Sequence, residues 1–478
     1  MKLDTNLKTN QTRLEEILKD ADVVFYPLNF GKKKALALYI DPITDVQKLG
    51  DFIIRPLSRF KPLPPPQKIS EKLPQPNSEL LFTIDEVIKS VIMGKSVFLF
   101  DRSSVAIAFD IRKYETRAIT EPPTSAVLKG PREGFTESIK TNLSMLRRII
   151  KSEKLVIKKH TVGRITQTDV AIVYISSVVD DNLPKKVEHR IKQIDVDGII
   201  DSSYIAKFIV EHKTSLFKQT GTTEKPDILT AKLLEGRVAI IVDGSPIALT
   251  VPYMMMEDFQ SSEDYFQNVY RSNMARGLRL ISIFLAIFLP AIFVSAQLFH
   301  LQIIPLNFLL TIVNSIKGIP LSPSFEMFFT LMIFEILNEA SIRMPKYVGM
   351  ALSIVGALVL GDTAVRAGIV STPTIMIMAL SGICLYTVPE LVDSMSFLRL
   401  LFLLVAGSIG GYGILLLCCF LFAYLCGLEN FDVPFLAPFA PFVKSDLKDS
   451  MYMTYLEDMT MRPKTLKPKN KKRMKEID

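Results

Sequence analysis

The sequence predicts an α/β cytoplasmic head of two similar subdomains, followed by an α-helical domain that crosses a membrane several times. Three observations support this: dense mixed charge over the first 270 residues, a passage there that recurs at constant spacing, and long apolar segments from Gly277 to Leu425. Apolar residues make up 49% of the chain, which is high for a soluble protein and fits a charged head joined to an apolar domain. The expected domains are a first subdomain (1–120), a linker helix with a second subdomain (121–270), a membrane domain (271–443) and a basic tail (444–478).

The recurring passage indicates a duplication within the head. "MGKSVFLFDRSSVAIAF" from Met93 aligns without a gap to "EGRVAIIVDGSPIALTV" from Glu235, at an offset of 142 residues. Upstream of each copy lies an apolar stretch, "ALALYI" (35–40) and "VAIVYI" (170–175), that is typical of a buried strand. We therefore predict that both halves have the same order of elements.

Each copy is expected to contain a helix that ends at a glycine and then a β-hairpin. Gly94 and Gly236 are the expected helix stops, and Asp101 and Asp243 begin the hairpin turns. Gly244 follows in the second copy, where the turn is expected to need a positive φ.

Five apolar segments are candidates to cross the membrane. Three are predicted spans, namely Leu278–Phe299, Val370–Val388 and Leu400–Leu425, and two are weaker candidates, Phe325–Ile342 and Val348–Leu360. At about 1.5 Å per residue, the first is long enough for a hydrocarbon core of roughly 30 Å. Phe325–Ile342 carries three glutamates and Val348–Leu360 is too short to cross upright, so their depth is open.

Both ends of the chain are expected in the cytoplasm. The first 22 residues are polar, three arginines (Arg271, Arg276 and Arg279) precede or begin the first span, and the stretch Arg462–Asp478 holds eight Lys/Arg against two acids, a net +6. The number of crossings is then even, so one of the five segments is re-entrant or interfacial, or a sixth lies near Phe431–Val443. Since the whole chain carries only +8, nucleic-acid binding has little support. The tail either attracts anionic lipid headgroups or is a disordered segment that fixes topology.

A polar stripe lies on the apolar helix from Phe325. Glu335, Glu339 and Arg343 recur every four residues and therefore share one helix face. Ionisable groups at membrane depth mostly face a bundle interior or water, so the stripe is a candidate for a pore or for signal transduction. The alternative is a structural ion pair between Glu339 and Arg343. Asp362 and Arg366 carry the same two interpretations.

Small residues recur at four-residue spacing in the next segment, a pattern that allows close helix packing. They are Gly349, Ser353, Ala357 and Gly361, and Gly407 with Gly411 repeats the pattern later. Such packing serves either one subunit or a ring of subunits around a pore, and the sequence does not choose between them.

No catalytic, cofactor or metal site is predicted. The histidines (His160, His189, His212 and His300) show no spacing typical of metal ligands or catalysis, and no nucleophile motif accompanies them. All four cysteines lie in the apolar segments. The sequence therefore favours a protein without enzymatic activity.

Longer stretches resemble the A subunits of the GerA family of spore germinant receptors. The resemblance rests on "EPPTSAVLKGPREGFTESIKTNLSMLRRII" (121–150), "GRVAIIVDGSP", "FQSSEDYF", "FEILNEASIRMP" and "SIVGALVLGDTAVRAGIVS", in the family's order over essentially the whole chain. The residues that match the family pattern lie in the linker, the hairpin and the membrane part. They are Gly130, Pro131, Arg132, Glu133, Gly134, Asp243, Gly244, Glu335, Glu339, Gly361 and Asp362.

The resemblance implies a protein of the spore inner membrane that acts in the response to nutrient germinants. It implies partners, namely a transporter-like B subunit and a lipoprotein C subunit, and it implies an oligomer that is a candidate ion channel. Two alternatives remain at this point: a non-conducting scaffold that assembles its partners, and a solute permease. A permease usually shows repeated membrane halves, whereas the repeat here lies in the head.

Overall fold

The computed structural model describes residues 1–19, 21–31, 33–60, 62–73, 78–112, 129–343 and 361–474. The first subdomain is an antiparallel sheet of strand order β1-β2-β4-β5-β3 with helices on both faces. Its strands are β1 (Val24–Phe30), β2 (Lys33–Tyr39), β3 (Ser78–Leu81), β4 (Ser96–Phe100) and β5 (Ala106–Phe109). Its helices are α1 (Leu7–Ile17), α2 (Val46–Lys48), α3 (Arg55–Arg59), α4 (Pro66–Lys72) and α5 (Ile84–Ile92), with a π-helical turn at Leu49–Ile54.

The second subdomain repeats this sheet, with the strand order β6-β7-β9-β10-β8. Its strands are β6 (Leu155–Val162), β7 (Thr168–Ile175), β8 (Gly221–Thr223), β9 (Val238–Val242) and β10 (Ala248–Val251). Its helices are α6 (Ile139–Ile149), α7 (Asn182–Lys192), α8 (Ser202–Ile209) and α9 (Pro226–Glu235). The predicted duplication is confirmed, because the two sheets have the same order and β4, β5 and α5 recur as β9, β10 and α9 at the predicted offset.

The duplication extends to a helix that the sequence comparison did not match. Asn10 of α1 and Asn142 of α6 are both buried, and each makes the same pair of hydrogen bonds with the segment before its helix. Asn10 donates to the carbonyl of Asp4 (2.7 Å) and accepts from its N–H (2.9 Å), and Asn142 does the same with Thr136 (2.6 and 2.8 Å). In each subdomain, the buried side-chain amide both donates and accepts a hydrogen bond, and it thereby fixes the position of the segment before the first helix.

The hairpin turns have the predicted backbone. Gly244 has φ +85°, and Arg102, its counterpart in the first copy, has φ +60°. Both N–H groups donate to the segment before the first helix of their subdomain, Gly244 to Glu137 (2.7 Å) and Arg102 to Thr5 (2.9 Å). A left-handed conformation costs a residue with a side chain about 1–2 kcal/mol, and more when the side chain is β-branched.

We therefore expect opposite effects at the two turns. Gly244→Val should lower the free energy of unfolding by about 2 kcal/mol, while Arg102→Gly should raise it slightly because the strain is relieved. Thermal unfolding of the detergent-solubilised chain measures both. Equal melting temperatures for Gly244→Val and the unchanged chain would contradict the turn geometry.

The remaining helices form an apolar bundle. They are α10 (Val269–Phe299), α11 (Leu306–Ile316), α12 (Pro323–Arg343), α13 (Thr372–Leu385), α14 (Val392–Ile409) and α15 (Gly411–Gly427). Among the described residues, two helical stretches are long and apolar enough to cross a membrane, Val269–Phe299 and Pro389–Ile409. The predicted segment Val348–Leu360 lies outside the described residues.

The prediction of one long span over Leu400–Leu425 is wrong. The helix breaks at Gly410, whose φ of +74° and ψ of −151° are open essentially to glycine alone. The start of α14 and the end of α15 both lie at the head: Ser394 donates to the carbonyl of Leu216 (2.8 Å), and Asn430, just after α15, donates to the carbonyl of Gln219. The two helices are therefore a hairpin.

The predicted location of a sixth crossing is also wrong. The hairpin at Gly410 supplies the additional helix, whereas the stretch Phe431–Val443 folds against the head. There, the Arg190 guanidinium lies 4.3 Å from the centre of the Phe431 ring. Val433 and Ala437 are buried with Leu466 of the tail.

The tail is held against the head along its most basic part. The Lys469 N–H donates to the carbonyl of Val178 (2.9 Å), and Arg462 donates to the carbonyl of Leu234 (2.7 Å). Up to residue 474, the interpretation as a disordered segment is therefore wrong: the tail is a strap across the second subdomain. Its attraction to lipid headgroups stays a prediction, because Lys464, Lys467, Lys471 and Lys472 are exposed. Because the strap touches the head, the two lie on the same side of any membrane that the helices cross.

Candidate functional site

A cavity of about 550 Å³ lies where the head, the helices and the tail meet. Its walls come from β8 and α9 of the second subdomain, the 3₁₀ turns at 255–266, the loop between α13 and α14, and the tail. We call this region the junction. Two of its ion pairs, Lys218 with Glu390 and Arg276 with Asp449, join segments that are distant in sequence.

The head side of the junction is a buried cluster of charges. Arg237, at the start of β9, is 3% exposed and forms an ion pair with Glu257, whose second oxygen lies 2.9 Å from the Lys232 ammonium. Arg237 also donates to the carbonyl of Pro252 (3.1 Å). Burial alone would raise the pKa of Glu257, but the charges of Arg237 and Lys232 hold it at about 2. Glu257 is thus ionised at physiological pH. Its ion pair with Lys232 holds the segment that follows β10 against α9.

On its helix side, the junction is formed by the charge contacts of Lys218. Its ammonium lies 2.9 Å from Asp258 and 2.6 Å from Glu390, which belongs to the loop between α13 and α14. Tyr253 donates its hydroxyl to the other oxygen of Asp258. Lys218 therefore connects the head directly with the bundle.

Asp258 should make the stability of the junction depend on pH. Burial raises its pKa to about 6, although Lys218 and Tyr253 oppose the rise. A carboxyl with a raised pKa in the folded state holds its proton more tightly there, so stability falls as pH rises from about 4 to about 6, by about 3 kcal/mol at most. We expect the melting temperature of the unchanged chain to fall relative to that of Asp258→Asn across this window. A constant difference between the two would contradict the raised pKa.

The arginines in the first turns of α10 form buried ion pairs with the head and the tail. The Asp264 carboxylate lies 3.1 Å from Arg276 and 2.8 Å from Arg279. Arg276, which is buried, also donates to the carbonyl of Asp449 in the tail (2.8 Å) and lies 3.2 Å from its carboxylate. Tyr265 donates to the same carboxylate (2.9 Å). The first turns of α10 are therefore locked to the head and to the tail at once.

The family linker and the hairpin lie beside this network. A side chain at Gly130, whose φ is +118°, would meet the ring of Phe266 at 2.6 Å, and Phe266 lines the cavity. Glu133 pairs with Arg148, and Asp243 accepts from the N–H of Ile139 (3.0 Å) at the start of α6. Pro131 and Arg132 are exposed and Gly134 is buried. These residues position α6 and the end of the linker and form no reactive group.

The structure divides the predicted polar stripe. Glu335 accepts from Arg399 of α14 (2.6 Å), and Arg399 is 3% exposed. Glu339 and Arg343 pair with each other at 2.5 Å, with side chains that are 60% and 77% exposed on this single chain. Of the three stripe residues, only Glu335 is therefore held by a neighbouring helix among those described.

The other predicted residues of the membrane part lie apart from that contact. Asp362 and Arg366 form an exposed pair at 2.9 Å. A side chain at Gly361 would reach only Ile375, at 4.0 Å, so Gly361 makes no close helix contact with the described residues of the chain. Gly349, Ser353 and Ala357 lie outside the described residues. Close packing is found at Gly407 instead, where an added Cβ would lie 2.7 Å from the Ser324 hydroxyl.

Two buried charged side chains of the bundle were not predicted from the sequence. Arg399 stands one residue before the predicted span Leu400–Leu425, where it resembles an ordinary flanking charge. Glu326 was noted only as a polar interruption, yet it is fully buried and accepts from the N–H and the hydroxyl of Ser371 (both 2.7 Å) at the start of α13. The sequence offered no signal for the partner of Arg399, because Glu335 lies 64 residues away.

The whole chain matches one protein family. A family model described as Bacillus/Clostridium GerA spore germination protein covers residues 11–465. The chain belongs to this family. The resemblance predicted from the linker, hairpin and membrane motifs is therefore confirmed.

Relatives of this GerA-family chain include several spore germination proteins. It is 34% identical over 468 residues to spore germination protein KA of Bacillus subtilis (strain 168), a match that covers 96% of this chain and 86% of the relative. It is 33% identical over 399 residues to spore germination protein GerLA of Bacillus cereus, which covers 80% and 81%. The crystal structure of the N-terminal domain of the A subunit of the Bacillus megaterium spore germinant receptor GerK3 is 28% identical and covers 53% of this chain and 98% of that one, with a TM-score of 0.40.

Proposed function

We propose that this chain is the A subunit of a nutrient germinant receptor of the spore inner membrane and that it transmits a signal between its head and its helices without catalysing a reaction. The observation that carries the proposal is the junction, where Lys218 pairs with Glu390 across the boundary between head and bundle. A head movement that changes this contact would move the loop between α13 and α14. Family membership supports the process, spore germination.

The proposal includes a multi-pass membrane domain with head and tail in the cytoplasm. Only 39% of the most apolar stretch of each long helix is buried within the chain, which supports this placement, since the core helices of soluble proteins are mostly buried. Their exposed side chains fit a lipid or subunit environment. The contact of the tail with the head supports an even number of crossings.

The proposal further includes a B subunit, a C subunit and further copies of this chain as partners, with ion conduction as a function of the oligomer. Glu339 and Arg343 are exposed on the single chain, which leaves this end of the stripe open to a neighbouring copy. Carboxylates that line a path between subunits attract cations. A non-conducting scaffold remains the alternative, because the Glu339–Arg343 pair is complete within one chain.

Glu390→Gln tests transmission. The side chain of Glu390 is 47% exposed, so loss of its charge should change stability by less than about 1 kcal/mol and leave receptor abundance near normal. Ion release after nutrient addition to spores should nevertheless slow several-fold, because the head loses a contact with the bundle. Asp195→Asn, which breaks an exposed ion pair with Arg164 within the head, is the matched control.

Three outcomes separate the functions. Normal abundance with slowed release supports transmission through the junction. Equal loss of protein and release supports the scaffold. Normal abundance with normal release in Glu390→Gln contradicts a role of this contact in signalling.

A further inference from the structure

The region where α10 leaves the head carries exposed apolar and aromatic side chains. Tyr270, Met274, Leu278 and Ile281 are 76%, 66%, 52% and 57% exposed, and their spacing places them on one helix face. This face continues without a break into the first predicted span. With a helix of 31 residues, or about 46 Å, α10 is longer than a hydrocarbon core of about 30 Å, so its first turns lie outside that core.

A segment of the tail lies at the same level. Asn273 of α10 donates to the carbonyl of Met453 (2.9 Å) and accepts from its N–H (2.6 Å). The neighbouring Tyr270 hydroxyl raises the pKa of Tyr455. Tyr452 and Tyr455 are about half exposed. Tyrosine is enriched at membrane interfaces because its ring is apolar and its hydroxyl is polar.

In residues 444–449, the acidic side chains make contacts within the protein, whereas the lysine side chains are exposed. Asp446 accepts from the N–H and the hydroxyl of Thr465 (2.9 and 2.6 Å), and Asp449 is paired with Arg276, so both carboxylates are used inside the protein. Lys444 and Lys448 are exposed. The exposed acids Glu457 and Asp458 follow beyond Tyr455.

We propose that Tyr270, Met274, Lys444, Lys448, Tyr452 and Tyr455 form a platform that lies in the headgroup layer of the bilayer, with the two lysines on lipid phosphates. Relative to Leu278, where the apolar core begins, Met274 and Tyr270 stand about 6 and about 12 Å towards the head. The interfacial layer extends about 5–8 Å beyond the core on each side, and tyrosine and lysine side chains reach into it from above. This inference rests on the proposed membrane placement of the helices. It assigns the lipid contact to 444–455 and not to the more basic end of the tail, which the head already holds.

The chain has no tryptophan, so single tryptophans report on the platform without background. The full chain is reconstituted in vesicles with either a nitroxide on the lipid headgroup or bromines near the bilayer centre. Tyr452→Trp should be quenched more strongly by the headgroup label than by the bromines, and Phe284→Trp, in the span, should show the reverse. Tyr204→Trp, on α8 of the head, should be quenched by neither. Met451→Trp, next to Tyr452 and 49% exposed, replaces Tyr452→Trp if that variant does not fold.

The lysines are tested in the Tyr452→Trp chain. Lys444→Gln with Lys448→Gln should reduce quenching by headgroup-labelled phosphatidylglycerol by about twofold or more. Lys185→Gln with Lys213→Gln makes the same charge change on exposed head residues and should leave quenching unchanged. Unchanged quenching in the first pair would overturn the assignment of the lysines to lipid phosphates.

The remaining outcomes show whether water or protein, and not lipid, covers the platform. If the Tyr452→Trp variant is quenched by iodide and not by lipid, the platform is overturned, because the surface then faces water. Shielding of that variant from both iodide and lipid would overturn it in favour of a protein, such as a second copy of the chain. If the Phe284→Trp variant also escapes lipid quenching, the membrane placement itself fails, and the platform fails with it.

Discussion

Replacing Arg399 by alanine should destabilise the bundle by about 3 kcal/mol or more, because the largely buried carboxylate of Glu335 would lose its partner. The Arg399 guanidinium donates to Glu335 of α12 (2.6 Å) and to the Ser381 hydroxyl of α13 (3.2 Å). Ser381 in turn donates to the carbonyl of Ala286 in α10 (2.7 Å). One side chain of α14 therefore holds three other helices, and its loss should reduce both melting temperature and abundance.

Arg343→Ala is the matched control for this effect. The sequence suggested that Arg343 protects a buried carboxylate, but its pair with Glu339 is exposed on the single chain, and such pairs contribute at most about 1 kcal/mol. The double variant Glu335→Gln with Arg399→Met should recover much of the lost stability, since no unpaired charge remains. Equal melting temperatures for Arg399→Ala and Arg343→Ala would show that burial of the Arg399–Glu335 pair is not what stabilises the bundle.

The head could be predicted because its signals are local. Thr83 and Glu86 form the capping box that their spacing indicates. Gly94 and Gly236 both have positive φ where each helix ends. These features depend on backbone conformation within a few residues, and the second copy of the passage supported the assignment of the glycine helix ends.

The junction could not be predicted because its pairs join segments far apart in the chain. Arg276 meets Asp449 and Lys218 meets Glu390 across more than 170 residues, and nothing near any of these residues indicates its partner. Charge composition suggested only that the arginines mark a cytoplasmic membrane edge. The same limitation hid Arg399, whose partner Glu335 was assigned to a stripe on its own helix.

The bundle was predicted in part, since apolar composition locates helices but not their turns. Within "LVAGSIGGYGILLL" the apolar residues continue on both sides of Gly410, so hydropathy alone favours one long span. Three glycines in four positions, Gly410, Gly411 and Gly413, were the available signal. Only Gly411 was considered, together with Gly407, as a helix-packing face.

Gly410→Ala distinguishes the two interpretations by the sign of its effect. In a single straight helix, alanine would stabilise the chain by about 1 kcal/mol relative to glycine. In the hairpin, φ +74° and ψ −151° exclude alanine without strain, and its Cβ would lie 2.7 Å from the Phe299 ring. Strain of about 1–3 kcal/mol together with this clash should strongly reduce folded protein.

Gly277→Ala provides the matched control, because Gly277 lies within α10 and has no described atom within 4 Å of an added Cβ. It should raise the free energy of unfolding by about 0.5–1 kcal/mol, while Gly410→Ala lowers it. Thermal unfolding of both variants in detergent measures the difference. If both substitutions stabilise the chain, α14 and α15 are one continuous helix and the hairpin at Gly410 is wrong.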